Sequence, residues 1–400
     1  MALKWSKSKC ILFYIALILT NVIIMNDLVI VPIINDLYIA FESNPMGVST
    51  IISAPSIVTI FAALFVPWLM KKWSHRQLII TCSALFCLVS IFGCAVENVY
   101  YMIGCRIFCG LCYAIINVVY VALVADVFVD VKRRARFMGI FNGMMSFIGA
   151  LMGFLAGVFA TGGWQNAYRV YWAAIPMLIM VIFFIPKPED IENGGQPGDE
   201  EQFGGTGVMV KGFGTRFPAL MVVFLIFNIC YTFYANFNSV YVAENALGDQ
   251  AFAGTLTSVA TIASAIICML FGEIYNRLRG KVGIVCCLLL LAGTAFCYLV
   301  PSRAAAFTNS ILSGIAYGVF LTFAYTHTPQ IVAGEKIDRA IGYVTAISCI
   351  GMTLSAYLQP WLTGLFGGNY TSSLIVSLAA IVVILVIEVI SVAKSEKAIQ

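Results

Sequence analysis

The sequence has few charged residues. Asp, Glu, Lys and Arg together make up 10% of the 400 residues, whereas hydrophobic residues make up 61%, and the mean hydropathy is +0.95. A soluble globular domain is about half apolar and about a quarter charged. The composition therefore excludes a soluble protein and indicates an integral membrane protein.

Histidine is also scarce, with two residues in the chain. An intramembrane enzyme needs a clustered nucleophile and base, or a metal-binding set, and two histidines far apart in the sequence supply neither. The pattern G-x-x-x-x-G-K-[ST] is missing, which excludes a phosphate loop for ATP. Cys109-x-x-Cys112 has neither a second cysteine pair nor a nearby histidine. We therefore expect a protein that is not an enzyme and that holds no metal and no cofactor.

Twelve apolar segments recur along the chain. A helix needs about 20 residues to cross about 30 Å of hydrocarbon, and each segment is near or above that length. The long polar stretch Lys187 to Thr215 is rich in glycine and acidic residues, which predicts a flexible linker. We predict an all-α membrane protein with two six-helix halves, residues 1–186 and 216–400, joined by a cytoplasmic linker, residues 187–215. The segments are 11–34, 46–70, 77–95, 100–125, 137–160, 168–186, 216–242, 251–275, 281–300, 305–329, 339–365 and 370–393.

Lysine and arginine are distributed asymmetrically between the two ends of these segments. If the N terminus is cytoplasmic, all of the 23 Lys and Arg lie on the cytoplasmic side except Arg106, Arg169 and Arg303. The connection at residues 132–136 is the most basic, and we predict that it is a cytoplasmic loop. Cytoplasmic loops carry an excess of positive charge. The sequence thus predicts a multi-pass protein of the plasma membrane with both termini in the cytoplasm.

The two halves of the sequence resemble each other at an offset of about 204 residues. Gly110-Leu-Cys-Tyr113 matches Gly314-Ile-Ala-Tyr317, and Arg136-Phe-Met-Gly139 matches Arg339-Ala-Ile-Gly342. A long internal repeat split by a linker is typical of a transporter whose binding site lies between two related halves.

The fourth and fifth segments carry a family resemblance. Arg106-Ile-Phe-Cys-Gly110-Leu-Cys112 resembles the fourth-helix motif R-x-x-x-G-x-G of the major facilitator superfamily. Gly149, Gly153 and Gly157 resemble the fifth-helix motif G-x-x-x-G-P-x-x-G-G of the same superfamily. Small residues on one face allow another helix to approach closely, so we assign Gly110 and these three glycines to helix packing. The resemblance implies two pseudo-symmetric six-helix bundles and secondary transport by alternating access.

A further resemblance concerns the loops after the second and eighth segments, which are similar to the superfamily's G-x-L-a-D-R-x-G-R-R motif. The resemblance implies that charges in this motif latch the cytoplasmic side when the carrier is open outward. Lys71 stands where the motif has its acid, and Asp126 at the end of the fourth segment is a candidate replacement. The residues assigned to the latch are Lys71, Lys72, Arg76, Asp126, Arg134, Arg136, Gly272 and Arg277.

Polar residues in the first, fourth, seventh and tenth segments are candidates for binding substrate or protons, since the resemblance implies that these helices line a central cavity. A charge such as Arg106 at membrane depth costs roughly 2.5–3.5 kcal/mol on insertion scales. Asp27 lies at a matching depth and is the expected partner. The tyrosines either line the cavity or pack, and His327 either takes part in proton coupling or forms a gate or a helix-end hydrogen bond. The candidate set is Asp27, Asn26, Arg106, Tyr113, Asn117, Tyr231, Tyr234, Asn238 and His327.

The sequence therefore favours a secondary active transporter of a small solute, coupled to protons, with uptake and efflux both open. The presence of an acid, Asp27, in the first segment resembles the pattern of the drug–proton antiporter branch of the superfamily. The alternatives are a solute sensor derived from a transporter and an intramembrane lipid-modifying enzyme. The expected partners are a small-molecule substrate, protons and the lipid bilayer, without nucleic acid, and the expected state is a monomer.

Overall fold

A computed structural model describes residues 5–128, 131–191, 216–278, 281–331 and 337–397. Among these residues, ten helical stretches are long and apolar enough to cross a membrane. The other two predicted spans are the shorter apolar helix His75–Ile91 and the 29-residue helix Ile337–Leu365. The predicted all-α architecture of twelve spans is confirmed, and it suits a bilayer because a helix satisfies its own backbone hydrogen bonds.

The chain divides into two compact units, residues 1–202 and 203–400. Most of the predicted linker, residues 192–215, lies outside the described residues. The first unit contains the first six predicted spans. Its helices are α1 (Lys7–Leu19), α2 (Asn21–Ile24), α3 (Ile34–Ala40), α4 (Pro45–Lys72), α5 (His75–Ile91), α6 (Val99–Val127), α7 (Val131–Ala160) and α8 (Ala174–Phe184), with 3-10 turns at Asn26–Val29, Val31–Ile33, Trp164–Ala173 and Pro188–Asp190.

The second unit contains the last six predicted spans. Its helices are α9 (Arg216–Ala235), α10 (Asn238–Glu244), α11 (Gln250–Met269), α12 (Phe271–Leu278), α13 (Val282–Leu299), α14 (Arg303–Ile331), α15 (Ile337–Leu365) and α16 (Tyr370–Lys397).

Polar side chains mark where several helices begin. Ser74 Oγ accepts a hydrogen bond from the Gln77 N–H (3.3 Å), and Gln77 Oε1 accepts one from the Ser74 N–H (3.0 Å). This reciprocal pair is a capping box at the start of α5. Asn98 Oδ1 accepts from the Tyr100 N–H (2.8 Å) at the start of α6. These caps satisfy N–H groups that have no partner within the helix.

The 3-10 turn after α8 ends the first unit. Burial acts to raise the pKa of the Asp190 carboxyl, but the hydrogen bond from the Lys187 N–H, together with Trp5 and Lys9, lowers that pKa overall. The Lys187 N–H lies 3.0 Å from Asp190 Oδ2. This end of the unit is therefore held to the start of α1 by polar contacts.

The first span differs from the uninterrupted helix predicted over residues 11–34. The α-helical path ends at Ile24, and two 3-10 turns lead to α3. Two sequence features account for the break. Asn26 Nδ2 donates to the Ile23 carbonyl oxygen (2.8 Å), a local bond that competes with helix continuation, and Pro32 has no N–H to donate. The seventh span is broken in a similar way, between α9 and α10.

The predicted basic loop at residues 132–136 is wrong, because α7 begins at Val131 and includes these residues. Lysine and arginine are good helix formers, so the helix continues past its apolar part. The side chains of residues 131–136, which include the latch candidates Arg134 and Arg136, lie outside the described part of the structure.

The two units repeat the same packing order. In the first unit α6 packs against α4 and α5, and the first span packs against α7. In the second unit α14 packs against α11 and α13, and α9 packs against α15. The pairs correspond at the repeat offset, so the internal repeat read from the sequence is also a structural repeat.

Candidate functional site

The candidate site is built around Arg106, which lies near the start of α6 with only 4% of its side chain exposed. Its Nη2 atom lies 2.5 Å from Asp27 Oδ1. Its Nη1 atom donates to Asn26 Oδ1 (2.6 Å), and its Nε atom donates to the Ile51 carbonyl oxygen (3.1 Å). A guanidinium presents its donors in a rigid planar fork. All three nitrogens therefore bind groups of the protein, and the side chain is fixed from three directions.

The turn that carries Asn26 and Asp27 is itself held in place. Tyr171 donates from its hydroxyl to the Asn26 carbonyl oxygen (2.9 Å). Tyr171 is 1% exposed, and its ring packs edge-on against Phe86 and against Tyr168. The break in the first span frees backbone groups at this depth, and a buried hydroxyl satisfies one of them.

The two charges of the ion pair differ in their exposure. The Asp27 side chain is 41% exposed, against 4% for Arg106. Asp27 is thus the member of the pair that is accessible to a solute or a proton, and the buried Arg106 holds its carboxylate through the ion pair. The accessible chemistry of the site is that of a carboxylate, which accepts hydrogen bonds and protons.

Two other candidates on α6 lie away from the ion pair. Tyr113 and Asn117 are half-buried. They follow Arg106 by about 10 and about 16 Å along the helix axis, given a rise of about 1.5 Å per residue. The structure therefore does not bring them to Arg106.

The candidates on the seventh span divide into two kinds. Tyr231 is half-buried and its ring stacks on that of Tyr317, with centroids 4.1 Å apart and planes 5° apart. Tyr234 is 2% exposed and donates from its hydroxyl to the Ala306 carbonyl oxygen (3.3 Å). Tyr234 therefore packs inside the second unit, whereas part of the stacked pair is accessible.

Asn238 and His327 also lie in the second unit. Asn238 is 2% exposed, and its Nδ2 atom donates to Thr257 Oγ1 (3.0 Å). His327 is half-buried on α14, and its ring stacks on Phe323 with centroids 4.9 Å apart. Neither side chain belongs to the cluster around Arg106, which is formed by residues of the first unit.

The latch candidates in the first unit include one close pair. Asp126 Oδ2 lies 3.1 Å from Nδ1 of His75, and both side chains are about three-quarters buried (25% and 28% exposed). Arg76 Nη2 donates to the Ile182 carbonyl oxygen (2.8 Å), near the C terminus of α8, where a positive charge is favourable. His75 was not assigned a role from the sequence, because only the structure shows that it faces Asp126.

The remaining latch candidates are exposed. Lys71 is exposed, and Lys72 Nζ lies 4.2 Å from the centre of the Trp68 ring. Gly272 and Arg277 are exposed, and a Cβ atom added to Gly272 would meet nothing within 4 Å.

The glycines assigned to helix packing are close to neighbouring segments. A Cβ atom added to Gly110 would lie 2.5 Å from Pro55 Cα, and one added to Gly149 would lie 2.9 Å from Met25 Sδ. Gly153 and Gly157 are buried. A larger residue at Gly110 would therefore require α4 and α6 to move apart.

Sequence reasoning missed Tyr171 and the Ile51 carbonyl. Tyr171 is one of 18 tyrosines and is 145 positions from Asn26, so no local pattern links the two. A backbone carbonyl has no residue-type signal of its own. Within the described residues, no group of three or more His, Cys, Asp or Glu side chains is arranged to hold a metal.

Comparison with known proteins agrees with this architecture. The sequence model described as the Major Facilitator Superfamily matches residues 16–300 and 220–398. No curated protein matches the chain. The chain is similar in structure to a bacterial homolog of the human lysosomal transporter Spinster in an inward-facing, occupied conformation, with a TM-score of 0.74, 14% identity and coverage of 97% of this chain and 98% of that chain.

Two other solved structures share the fold. One is described as the nucleoside transporter NupG, with a TM-score of 0.70, 11% identity and coverage of 96% of this chain and 99% of that chain. The other is described as a D-xylose-proton symporter, with a TM-score of 0.69, 12% identity and coverage of 95% and 97%. At these identities the likeness concerns the fold.

Proposed function

Because this chain belongs to the Major Facilitator Superfamily, we propose that it is a secondary active transporter that moves a small solute across a membrane by alternating access. In such a carrier two related halves rock around a site near the middle of the bilayer. The broken first span of each unit supports this proposal, since interrupted helices at membrane depth form the binding sites of many transporters.

Asp27 is the proposed coupling acid. The observation that carries this assignment is the contrast between an accessible carboxylate and the buried guanidinium that holds it, 41% against 4% exposed. A proton or a solute that binds Asp27 weakens its pairing with Arg106. The state of one small group can thereby bias the carrier between conformations, because a ligand shifts an equilibrium by its differential affinity for the two states.

The proposed substrate is a solute that offers hydrogen-bond donors or a positive charge. The Arg106 side chain is 4% exposed, and each of its three nitrogens already donates to the protein, at Asp27, Asn26 and Ile51, so an anion from solution has little access to the guanidinium. The carboxylate of Asp27 is what the site presents. Similar structures are described as a nucleoside transporter and a D-xylose-proton symporter, which makes nucleosides and pentoses reasonable members of a test panel.

Counterflow into proteoliposomes tests the proposal. Proteoliposomes that contain the purified protein are loaded with one unlabelled solute at a time, and the entry of the same solute in labelled form is followed. The panel consists of organic cations, nucleosides, pentoses and organic anions. We expect exchange of a cation or of a donor-rich neutral solute, and accumulation when a pH gradient is imposed. Exchange restricted to anions would contradict the proposed substrate class.

The coupling role is tested with Asp27→Asn. This variant is expected to lose accumulation driven by a pH gradient and to retain part of the exchange, because an amide cannot carry the proton. Glu42→Gln, which changes an exposed acid outside the ion pair, is the matched control and is expected to behave as the wild type. Gradient-driven accumulation that survives in Asp27→Asn would remove Asp27 from the coupling mechanism.

A further inference from the structure

Pro55 lies inside α4, and this proline changes the hydrogen bonding of a residue one turn earlier. In an α-helix the carbonyl of residue i accepts from the N–H of residue i+4. Proline has no N–H, so Pro55 leaves the carbonyl of Ile51 without its usual donor. Ile51 is fully buried, and a buried carbonyl without a donor is costly in a membrane.

Arg106 supplies the missing donor. Its Nε atom lies 3.1 Å from the Ile51 carbonyl oxygen, while its other two nitrogens bind the first span. Gly110 lies one turn further along α6 and allows the close approach, since a Cβ atom there would lie 2.5 Å from Pro55 Cα. The Ile51 carbonyl therefore gives the Arg106 guanidinium a third contact, on α4. Without it, the guanidinium would be held only by Asn26 and Asp27 of the first span.

We propose that Pro55 is a positioning residue for the ion pair. It frees the Ile51 carbonyl, the carbonyl orients Arg106, and Arg106 holds the carboxylate of Asp27. The relevance of this chain of contacts to transport rests on the proposed coupling role of Asp27.

The second unit provides an internal comparison. At the repeat offset Gly314 packs against the backbone of Ala260, as Gly110 packs against Pro55. Ser310 stands in the position of Arg106 and is buried. Ala260 keeps its N–H, so the helix there needs no outside donor. Close helix packing is thus present in both units, whereas the proline occurs only with the arginine. Packing alone does not require Pro55.

The test uses a probe of Asp27 that needs no transport substrate. A hydrophobic carbodiimide reacts with protonated carboxyl groups, and mass spectrometry of the purified protein at one fixed pH gives the rate of modification at Asp27. Pro55→Ala returns an N–H to the Ile51 carbonyl, which then competes with Arg106 Nε. We expect modification roughly two- to tenfold faster than in the wild type, the range that corresponds to the loss of about one hydrogen bond.

Pro360→Ala is the matched control. Pro360 lies inside α15 of the second unit, so this variant also removes a helix proline but leaves the ion pair alone, and it is expected to show the wild-type rate. In an Arg106→Gln background, Pro55→Ala is expected to leave the rate unchanged, because the contact through which it acts is gone.

Thermal unfolding in detergent gives a second measurement. In Arg106→Gln the Ile51 carbonyl has lost its donor, so adding Pro55→Ala is expected to raise the Tm, by about 2 °C. The same substitution is expected to raise the Tm less in the wild type, where Arg106 already satisfies the carbonyl. Should Arg106→Gln fail to fold, the comparison of Pro55→Ala with Pro360→Ala still decides.

An unchanged modification rate in Pro55→Ala overturns the proposal, whatever the Tm values. A rate that rises equally in Pro55→Ala and Pro360→Ala also overturns it, since the effect would then be a general loosening. Neither measurement uses a transport assay, so failure of the proposed function and failure of this inference are distinguishable.

Discussion

Arg106 and Asp27 owe their stability at membrane depth to each other and to the backbone around them. Desolvating two charges is expensive, and a buried pair is favourable only where further hydrogen bonds satisfy the remaining donors and acceptors. Asn26 and the Ile51 carbonyl provide these bonds for Arg106. The exposed part of Asp27 remains the one accessible polar face of this pair. A rigid cation with a more accessible anion suits a site at which the anion changes partners.

The energetic coupling of the pair leads to a prediction about single and double variants. Asp27→Asn is expected to destabilise the protein by up to about 3–5 kcal/mol, because it leaves the buried Arg106 without its anion. Arg106→Gln is expected to cost less, since the Asp27 side chain is 41% exposed and water screens its charge. The double variant is expected to lose less than the sum. Unfolding free energies of the four proteins give the coupling, which should be 0.5 kcal/mol or more for residues in contact. Strict additivity would show that the pair does not act as a unit.

Tyr171 allows a prediction with a matched control in the other unit. Its hydroxyl donates to the Asn26 carbonyl oxygen (2.9 Å), and the Tyr370 hydroxyl donates to the Phe233 carbonyl oxygen (2.6 Å) in the second unit. Both tyrosines are buried. Tyr171→Phe and Tyr370→Phe should each cost about 1 kcal/mol of stability. Tyr171→Phe, but not Tyr370→Phe, is expected to change the carbodiimide reactivity of Asp27, since it loosens the turn that carries the acid. Equal effects of the two variants on that reactivity would contradict this role.

At the scale of helices, length and apolarity made the spans predictable, and local chemistry decided where they break. A run of about 20 apolar residues has few options in a bilayer, so the twelve segments could be found from the sequence. Asn26 and Pro32 favour a break in the first span, but the place of the turn at Asn26–Val29 could not be predicted, because it also depends on the tertiary contact with Tyr171.

The candidate site could be predicted in part from the sequence. Depth along the helices suggested that Asp27 and Arg106 would face each other, because both are charged and neither tolerates isolation. The Ile51 carbonyl had a signal in the sequence, namely the proline four residues later, but only the position of Arg106 Nε gives that signal a meaning. Tyr171 had no such signal.

The contact between α5 and α6 leads to a prediction about the cytoplasmic latch. His75 at the start of α5 lies 3.1 Å from Asp126 at the end of α6, so the anion proposed to replace the motif's acid is already engaged within the first unit. Asp126→Asn is expected to change the distribution of distances between spin labels on the two halves, because it releases His75. Glu42→Gln, which changes an exposed acid outside the latch set, is the control. An unchanged distribution in Asp126→Asn, or the same change in both variants, would count against the latch.

At the scale of the whole chain, the repeat preserves packing while the chemistry diverges. Gly149 approaches Met25 of the first span, and Gly351 approaches Asn228 of the seventh, so corresponding helices meet at a glycine in each unit, although the two glycines are one position apart at the repeat offset. The charged pair, however, has a neutral counterpart, since Ser310 occupies the position of Arg106. With Asp27 as the proposed coupling acid, one half supplies the coupling group and the other half needs no charged counterpart, which agrees with backbone contacts that are repeated and an ion pair that is not.

The orientation of the chain is the last prediction, and it rests on the distribution of lysine and arginine. With both termini in the cytoplasm, the loop at Glu42 and the loop at Pro301 face the outside, and the turn at Glu189 faces the inside. All three positions are exposed. Single cysteines placed there in a background without the 13 native cysteines are treated on intact cells with a thiol reagent that does not cross membranes. We expect labelling at positions 42 and 301, and labelling at position 189 only after the membrane is opened. Labelling at position 189 on intact cells would contradict the predicted topology. It would also contradict the assignment of the His75–Asp126 pair to the cytoplasmic side.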